Sequence, residues 1–119
     1  METLGHYING KAVPGAGSRS LPVYNPATGA QSKQLAVATA DEVNAAIEAA
    51  AAAFPAWAAT PPLRRARVMF KFKDLMESHA GELAEIISSE HGKVQSDALG
   101  EVMRGIEVVE FACGIPELL

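Results

Sequence analysis

The 119-residue sequence is poor in the features from which several kinds of functional site are built. Its single cysteine excludes an internal disulfide and a cysteine-based zinc site. Ten basic residues against 14 acidic ones give a net charge of −4, which argues against a nucleic-acid binder. No apolar run reaches the length of a membrane span. The first ten residues lack the basic-then-apolar order of a signal peptide, so we expect a cytoplasmic protein.

The composition is typical of a folded globular chain. Hydrophobic residues make up 49% of the sequence, charged residues 20% and aromatic residues 6%. The length is sufficient for one hydrophobic core, but it is short for an enzyme that binds a large cofactor. These counts already argue against a complete catalyst.

Residues 1–38 have the pattern of a β-ribbon, with short strands separated by turns. Asn9-Gly10 accepts the positive φ of a type I′ turn, so Tyr7–Val13 is predicted to form a tight hairpin. Further extended stretches are predicted at Leu21–Tyr24 and Gln31–Ala38, on either side of an Asn25–Gly29 turn. A ribbon of two or three such strands is marginal alone and needs another element to lie against.

Residues 39–119 have the pattern of four helices. Thr39 and Glu42 form a capping box, and we expect Pro55 and Trp57 to end this first helix. Thr60 before Pro61 is predicted to open the second helix. Gly81 is expected to break the second helix, and Gly92 to cap a short third helix that carries Leu83, Ile86 and Ile87.

The fourth helix, predicted over residues 96–112, has the clearest apolar stripe. Its members are Leu99, Val102, Ile106, Val109 and Cys113. The sequence therefore predicts a mainly α fold with an N-terminal β-ribbon. The βαβ alternation of a parallel, doubly wound nucleotide-binding sheet is missing.

Most candidate sites favour structural interpretations. Gly15 and Gly17 begin a GxGxxG pattern, but Ser20 stands at the third glycine position, and the three histidines are too far apart in sequence to share a metal. His91 and Lys93 are expected to complement the dipole at the end of the third helix.

Cys113 lies near a helix C-terminus, where the dipole does not favour a thiolate, so we expect a buried structural thiol. A basic cluster on the second helix favours a solvated face that pairs with Asp74 and Glu77, with a subunit contact as the alternative. This cluster consists of Arg64, Arg65, Arg67, Lys71 and Lys73.

Arg104 stands off the apolar stripe of the fourth helix, between Gly100 and Gly105. Two glycines inside a helix suggest that another group approaches the backbone closely. The planar guanidinium suits a carboxylate or a phosphate. The alternative is an intrahelical ion pair, for which the acidic candidates are Asp97, Glu101 and Glu107.

Several phrases of the sequence resemble the start of the aldehyde dehydrogenase superfamily. They are Tyr7-Ile8-Asn9-Gly10-Lys11, Tyr24-Asn25-Pro26-Ala27-Thr28-Gly29 and Ala45 through Trp57. Later phrases resemble its CoA-acylating methylmalonate-semialdehyde dehydrogenases. These are Glu90-His91-Gly92-Lys93, Ala98 through Glu107, Val109-Glu110-Phe111-Ala112 and Gly114 through Leu119.

The resemblance implies the N-terminal segment of an α/β dehydrogenase, with residues 39–119 bordering the cofactor domain. A full member uses NAD and coenzyme A to convert a semialdehyde to propionyl-CoA or acetyl-CoA, CO₂ and NADH, and a homo-oligomer is expected. The catalytic cysteine, general base and cofactor site of such a member lie beyond Leu119, and Cys113 does not match the nucleophile motif. The 119-residue chain is therefore expected to be inactive alone.

Within Gly-Glu-Val-Met-Arg-Gly-Ile-Glu, the resemblance implies that Arg104 holds the substrate carboxylate. The rest of the dehydrogenase subunit is the implied partner of this chain. A different class of function is a truncated, non-catalytic helical module that docks on a full-length dehydrogenase subunit.

Overall fold

The computed structural model describes all 119 residues, which form five short strands and four helices. The strands are β1 (Glu2–Leu4), β2 (His6–Ile8), β3 (Lys11–Val13), β4 (Ser20–Tyr24) and β5 (Gln31–Ala36). The helices are α1 (Ala40–Ala59), α2 (Pro62–Ser78), α3 (Ala80–His91) and α4 (Gln95–Cys113), followed by a 3₁₀ turn at Ile115–Leu118. The predicted mainly α fold with an N-terminal β region is confirmed. No helix combines the length and apolar character that crossing a membrane would need.

The chain divides into two compact units, Met1–Ala58 and Ala59–Leu119. The first unit contains almost all of α1 together with the strands. One reason is that the backbone N–H of Ala16 donates a 2.7 Å hydrogen bond to Glu42 Oε1 on α1. The strand region thus has the supporting element that such a short ribbon needs.

The strands form two separate sheets rather than one ribbon. β2 and β3 form the predicted hairpin, with Asn9 and Gly10 at φ values of 53° and 73°. The other sheet has the order β1-β5-β4, with β4 antiparallel and β1 parallel to β5. β1 was not predicted, because a three-residue strand has no periodicity of its own and is defined by its pairing with β5.

The Asn25–Gly29 turn forms as predicted. The side-chain oxygen of Asn25 accepts hydrogen bonds from the backbone N–H groups of Ala27 and Thr28, at 2.9 and 3.3 Å. Gly29 leaves the turn with a φ of 71°, a conformation that glycine adopts without a Cβ penalty. This turn joins β4 to β5, and the pairing of the two strands shifts register between Val23 and Tyr24, next to the turn.

Helix α1 continues through Pro55 to Ala59, so the predicted end at Pro55 and Trp57 is wrong. A proline inside a helix removes one backbone hydrogen bond. Alanine is the strongest helix former, and alanines precede and follow Pro55, which favours continuation. The helix ends instead before the Pro61-Pro62 pair.

The boundaries of α2 also differ from the prediction. Pro61, not Thr60, is the N-cap, and Pro62 is the first helical residue, where the missing N–H would be unpaired in any case. α2 ends at Ser78, and Gly81 lies in the first turn of α3 rather than breaking α2.

The hydrophobic core of the second unit lies between α3 and α4. Ala84 and Ala98 are both 0% exposed, and Val102 and Ile106 complete the buried cluster. Met76 of α2 packs against this cluster. The predicted stripe is confirmed except at Leu99, which is 41% exposed, because small Ala98 occupies the helix contact instead.

Candidate functional site

A shallow depression of about 430 Å³ lies along α4 and the turn that precedes it. Its lining residues are mostly polar: Lys93, Ser96, Asp97, Gly100, Glu101 and Arg104. The helical members recur at intervals of three and four residues, so they share one side of α4. The core residues occupy another side, which leaves this polar side in contact with solvent.

Lys93 reaches this side of α4 from the turn after α3. Gly92 caps α3 in the left-handed conformation, with φ 86°, and donates its N–H to the carbonyl of Ser88 at 2.9 Å. The ammonium of Lys93 then forms an ion pair with the carboxylate of Glu101. The charge of Lys93 is thus paired with α4, and its expected interaction with the α3 dipole stays a prediction.

Glu101 is held in its charged form by its surroundings. The hydrogen bond from Lys93 lowers the pKa of the Glu101 carboxyl, and partial burial opposes this shift. The nearby charges of Lys93, His91 and Arg104 lower the pKa further. At neutral pH the depression therefore contains a stable carboxylate beside two cations.

Arg104 is exposed, and its guanidinium has no carboxylate within the 4.0 Å of a salt bridge. The alternative of an intrahelical ion pair is not formed with any of its acidic candidates, Asp97, Glu101 and Glu107. Glu101 and Glu107 both lie three residues from Arg104, and Glu101 pairs with Lys93 instead. The arginine fork consequently remains available to a ligand with a carboxylate or phosphate.

The two glycines beside Arg104 are not crowded within this chain. A Cβ built on Gly100 would meet no atom within 4 Å, and one on Gly105 would meet only Met76 Cε at 3.5 Å, an ordinary contact. The expected close approach to the helix backbone is therefore not made by this chain. Gly100 instead forms an open part of the depression.

The other glycine candidates have packing roles. Gly15 lies so close to Ala36 at the end of β5 that a side chain would overlap it. A Cβ on Gly17 would lie 2.8 Å from the carbonyl oxygen of Val37. Both glycines therefore serve close packing around β5, consistent with rejecting a dinucleotide loop here.

The remaining sequence candidates are structural. Cys113 is a buried free thiol, as predicted. No group of three or more histidine, cysteine or carboxylate side chains is arranged to hold a metal ion. His6 was considered in the sequence only as one of three histidines too far apart to share a metal, and its contact with α1 was not predicted. Its Nε2 lies 3.8 Å from Glu42 Oε1 and has no hydrogen-bond partner. A contact over 36 residues leaves no local sequence signal.

Within the basic cluster of α2, Lys73 forms salt bridges with acidic side chains. Lys73 pairs with Glu77 at 2.7 Å, as predicted, and also with Glu110 of α4 at 3.3 Å. The hydrogen bond to Glu77 raises the pKa of Lys73, and that to Glu110 adds to the shift. The predicted pairing of the cluster with Asp74 is not formed, since no salt bridge reaches that carboxylate.

Comparison with known proteins matches the sequence pattern of the "Aldehyde dehydrogenase family" over residues 13–119. The malonate-semialdehyde dehydrogenase of Pseudomonas aeruginosa is 49% identical to this chain over 119 residues, and that of Bacillus pumilus is 43% identical. The match covers all of this chain but only 24% of each relative, so the chain spans about a quarter of their length.

Solved structures have the same fold over this region. The methylmalonate-semialdehyde dehydrogenase of Oceanimonas doudoroffii is 57% identical with a TM-score of 0.95, covering 100% of this chain and 24% of that one. A Sinorhizobium meliloti protein solved in complex with NAD is 50% identical with a TM-score of 0.94, covering 99% and 24%. Since the family match extends over most of its residues, the chain belongs to the aldehyde dehydrogenase family.

Proposed function

We propose that this chain forms the N-terminal part of an NAD-dependent, CoA-acylating dehydrogenase of malonate or methylmalonate semialdehyde. The overall reaction converts the semialdehyde, CoA and NAD to acetyl-CoA or propionyl-CoA, CO₂ and NADH. The names of the relatives that match the whole chain, and the NAD complex of one of them, support this proposal. In the proposal, residues 39–119 border the cofactor domain of the whole subunit.

The observation that carries the proposal is the unpaired guanidinium of Arg104 in the polar depression of α4. Both semialdehydes carry a carboxylate, which a simple aldehyde lacks. A guanidinium binds a carboxylate through two parallel hydrogen bonds and so fixes its orientation. Arg104 therefore accounts for selection of the acid-bearing substrate.

The residues of this chain do not fit NAD or coenzyme A as complete sites. β5 leads into α1 through Val37–Thr39, which contains no glycine, whereas a dinucleotide loop needs glycines between a strand and a helix. Gly15 and Gly17 are used in packing against the end of β5. Both cofactors are accordingly assigned to other parts of the whole subunit, and no chemical step is assigned to this chain.

The test is the Arg104→Ala substitution in the whole dehydrogenase. Losing a hydrogen-bonded charge pair is expected to raise KM for malonate semialdehyde about 10- to 100-fold. KM for propionaldehyde, which has no carboxylate, should change much less. Arg19→Ala, at an exposed arginine outside both the depression and the α2 groove, is the matched control and should leave both values unchanged. An equal effect of Arg104→Ala on both substrates would contradict the carboxylate role.

The 119-residue chain alone is proposed to be inactive. Incubation with NAD, CoA and malonate semialdehyde should produce no NADH, since the only thiol, Cys113, is buried. Saturable NADH formation, absent from a boiled sample, would overturn this part of the proposal.

The second candidate function is a non-catalytic module that docks on a full-length dehydrogenase subunit. It is favoured by an almost entirely apolar groove of about 590 Å³ on α2, whose apolar lining is Val68, Met69, Phe72 and Leu75. The relatives of this chain are about four times longer, so the same groove has further subunit residues available to cover it. The rest of a dehydrogenase subunit is the occupant in both candidates.

Two measurements separate these candidates. An intact mass of the natural product well above 12.5 kDa supports a continuous subunit, whereas a matching mass supports the separate module. Co-purification of the 119-residue chain with a full-length subunit supports docking, and a free monomer contradicts it.

Size-exclusion chromatography tests the proposed homo-oligomer, and cell fractionation tests the proposed cytoplasmic location.

A further inference from the structure

Glu101 lies between two cations but pairs with only one of them. It stands eight residues after Lys93 and three residues before Arg104. Its carboxylate forms an ion pair with Lys93. Arg104 is close enough to contribute to the lowered pKa of Glu101, yet it is not within salt-bridge distance.

This arrangement differs from the usual behaviour of such a helix. Glutamate and arginine three residues apart on an exposed helix face are neighbours and attract each other. A guanidinium also pairs with a carboxylate in the bidentate geometry that a substrate carboxylate would need. Without a competing cation, Glu101 would therefore occupy the group that the proposed function assigns to the substrate.

We propose that Lys93 is a positioning residue that keeps Glu101 paired and so leaves the guanidinium of Arg104 open to the substrate carboxylate. This inference rests on the proposed function and deepens it. Glu101 acts as an internal competitor for Arg104, and Lys93 removes that competition. Glu101 therefore lies near Arg104 in the depression without blocking the guanidinium.

Lys93 is suited to this role by its position. Its side chain is only 20% exposed, so it has fewer conformations to lose on pairing than a fully exposed lysine. The left-handed cap at Gly92 places it directly before α4. Of the two glutamates three residues from Arg104, Glu101 precedes it, which is the favoured order for a helical ion pair, and Glu101 alone lines the depression. Glu101 is therefore the competitor to control.

The kinetic test uses the whole dehydrogenase and the ratio of KM for malonate semialdehyde to KM for propionaldehyde. Lys93→Met should raise this ratio about two- to fivefold. Glu101 would then form an exposed ion pair with Arg104, and the substrate carboxylate would have to displace it. Lys93→Arg should retain the wild-type ratio, and Lys93→Met with Glu101→Gln should restore it. Lys11→Met, at an exposed lysine outside the depression, is the control for loss of a positive charge.

The outcomes separate the two proposals. If Arg104→Ala leaves the ratio unchanged, the proposed function fails. If Arg104→Ala raises the ratio but Lys93→Met does not, only the role of Lys93 is overturned. The same follows if the Glu101→Gln change fails to rescue Lys93→Met, because the loss would then not arise from Glu101.

A second test measures the pKa of the Glu101 carboxyl in the 119-residue chain by carbon NMR. In the Lys93→Met background, adding Arg104→Met should raise the pKa of Glu101 clearly, because Arg104 has become its partner. In the wild-type background the same change should have a much smaller effect, since Lys93 still holds Glu101. Equal effects in both backgrounds would overturn the inference without involving catalysis.

Discussion

Thr39 and Glu42 are joined by three hydrogen bonds at the start of α1. Glu42 Oε2 accepts from the backbone N–H of Thr39 at 2.8 Å and from its hydroxyl at 3.0 Å. The backbone N–H of Glu42 donates to Thr39 Oγ1 at 3.2 Å. The other oxygen of Glu42 accepts the N–H of Ala16, so the capping box also attaches the strand region to the helix.

Thr39→Ala should lower the free energy of unfolding by about 1 kcal/mol, because the first turn of α1 loses its side-chain cap. Chemical denaturation followed by circular dichroism measures the change. Ser18→Ala, at an exposed position of the same unit, is the control and should stay within about 0.5 kcal/mol of the wild type. A loss no larger than that of Ser18→Ala would contradict the capping role.

Glu42 should make stability depend on pH in the acid range. Hydrogen bonds from the backbone of Thr39 and then Ala16 lower the pKa of Glu42 below its ordinary 4.5, with a smaller contribution from His6, and burial opposes the shift. A lowered folded-state pKa means that the stabilisation is complete above 4.5 and is lost as the pH falls towards the folded-state value.

Unfolding free energies across this range test the assignment. Glu42→Gln should be less stable than the wild type at neutral pH and should lose less stability on acidification. The two curves should therefore converge at low pH. Parallel curves would show that another group is responsible for the acid dependence.

Two glycines near the depression should respond oppositely to alanine. Gly92 has a φ of 86°, so Gly92→Ala should destabilise the chain by about 1–2 kcal/mol. Gly100 lies inside α4 with open space around it, so Gly100→Ala should stabilise the chain by about 0.5–1 kcal/mol. Thermal unfolding of the two variants gives the comparison.

Gly100→Ala also links stability to the proposed site. In the whole dehydrogenase, its methyl group would extend into the depression beside Arg104. We therefore expect a more stable chain but a higher KM for malonate semialdehyde. A stabilised variant with unchanged KM would indicate that the substrate does not approach this part of α4.

The sequence predicted those parts of the fold that depend on local chemistry. The hairpin at Asn9-Gly10, the Thr39 cap and the Gly92 cap each follow from the conformational preference of one or two residues. The helix end at Pro55 was wrong because one local rule was outweighed by the surrounding alanines. The parallel pairing of β1 with β5 is a long-range contact, and no local pattern encodes it.

The candidate site shows the same division. Arg104 could be singled out because its glycine neighbours are unusual inside a helix. Its freedom from Glu101 could not be predicted, because that depends on Lys93 crossing from the preceding turn. A pair eight residues apart, interrupted by a helix end, has no helical periodicity to reveal it.

The contact between α3 and α4 should tolerate neither removal nor addition of volume. Ile106→Ala should cost about 2–5 kcal/mol, because a side chain only 3% exposed leaves a cavity. Ala98→Leu should also destabilise, by about 1–3 kcal/mol, because Ala98 is completely buried and has no room for a larger side chain.

Val108→Ala is the matched control on the same helix, since Val108 is 69% exposed. Urea denaturation should place this variant within about 0.5 kcal/mol of the wild type. If Val108→Ala were instead as costly as Ile106→Ala, the buried side of α4 would be assigned incorrectly. The polar side with Lys93, Glu101 and Arg104 would then be misplaced too, because a rotation of α4 about its axis moves its core side and its polar side together.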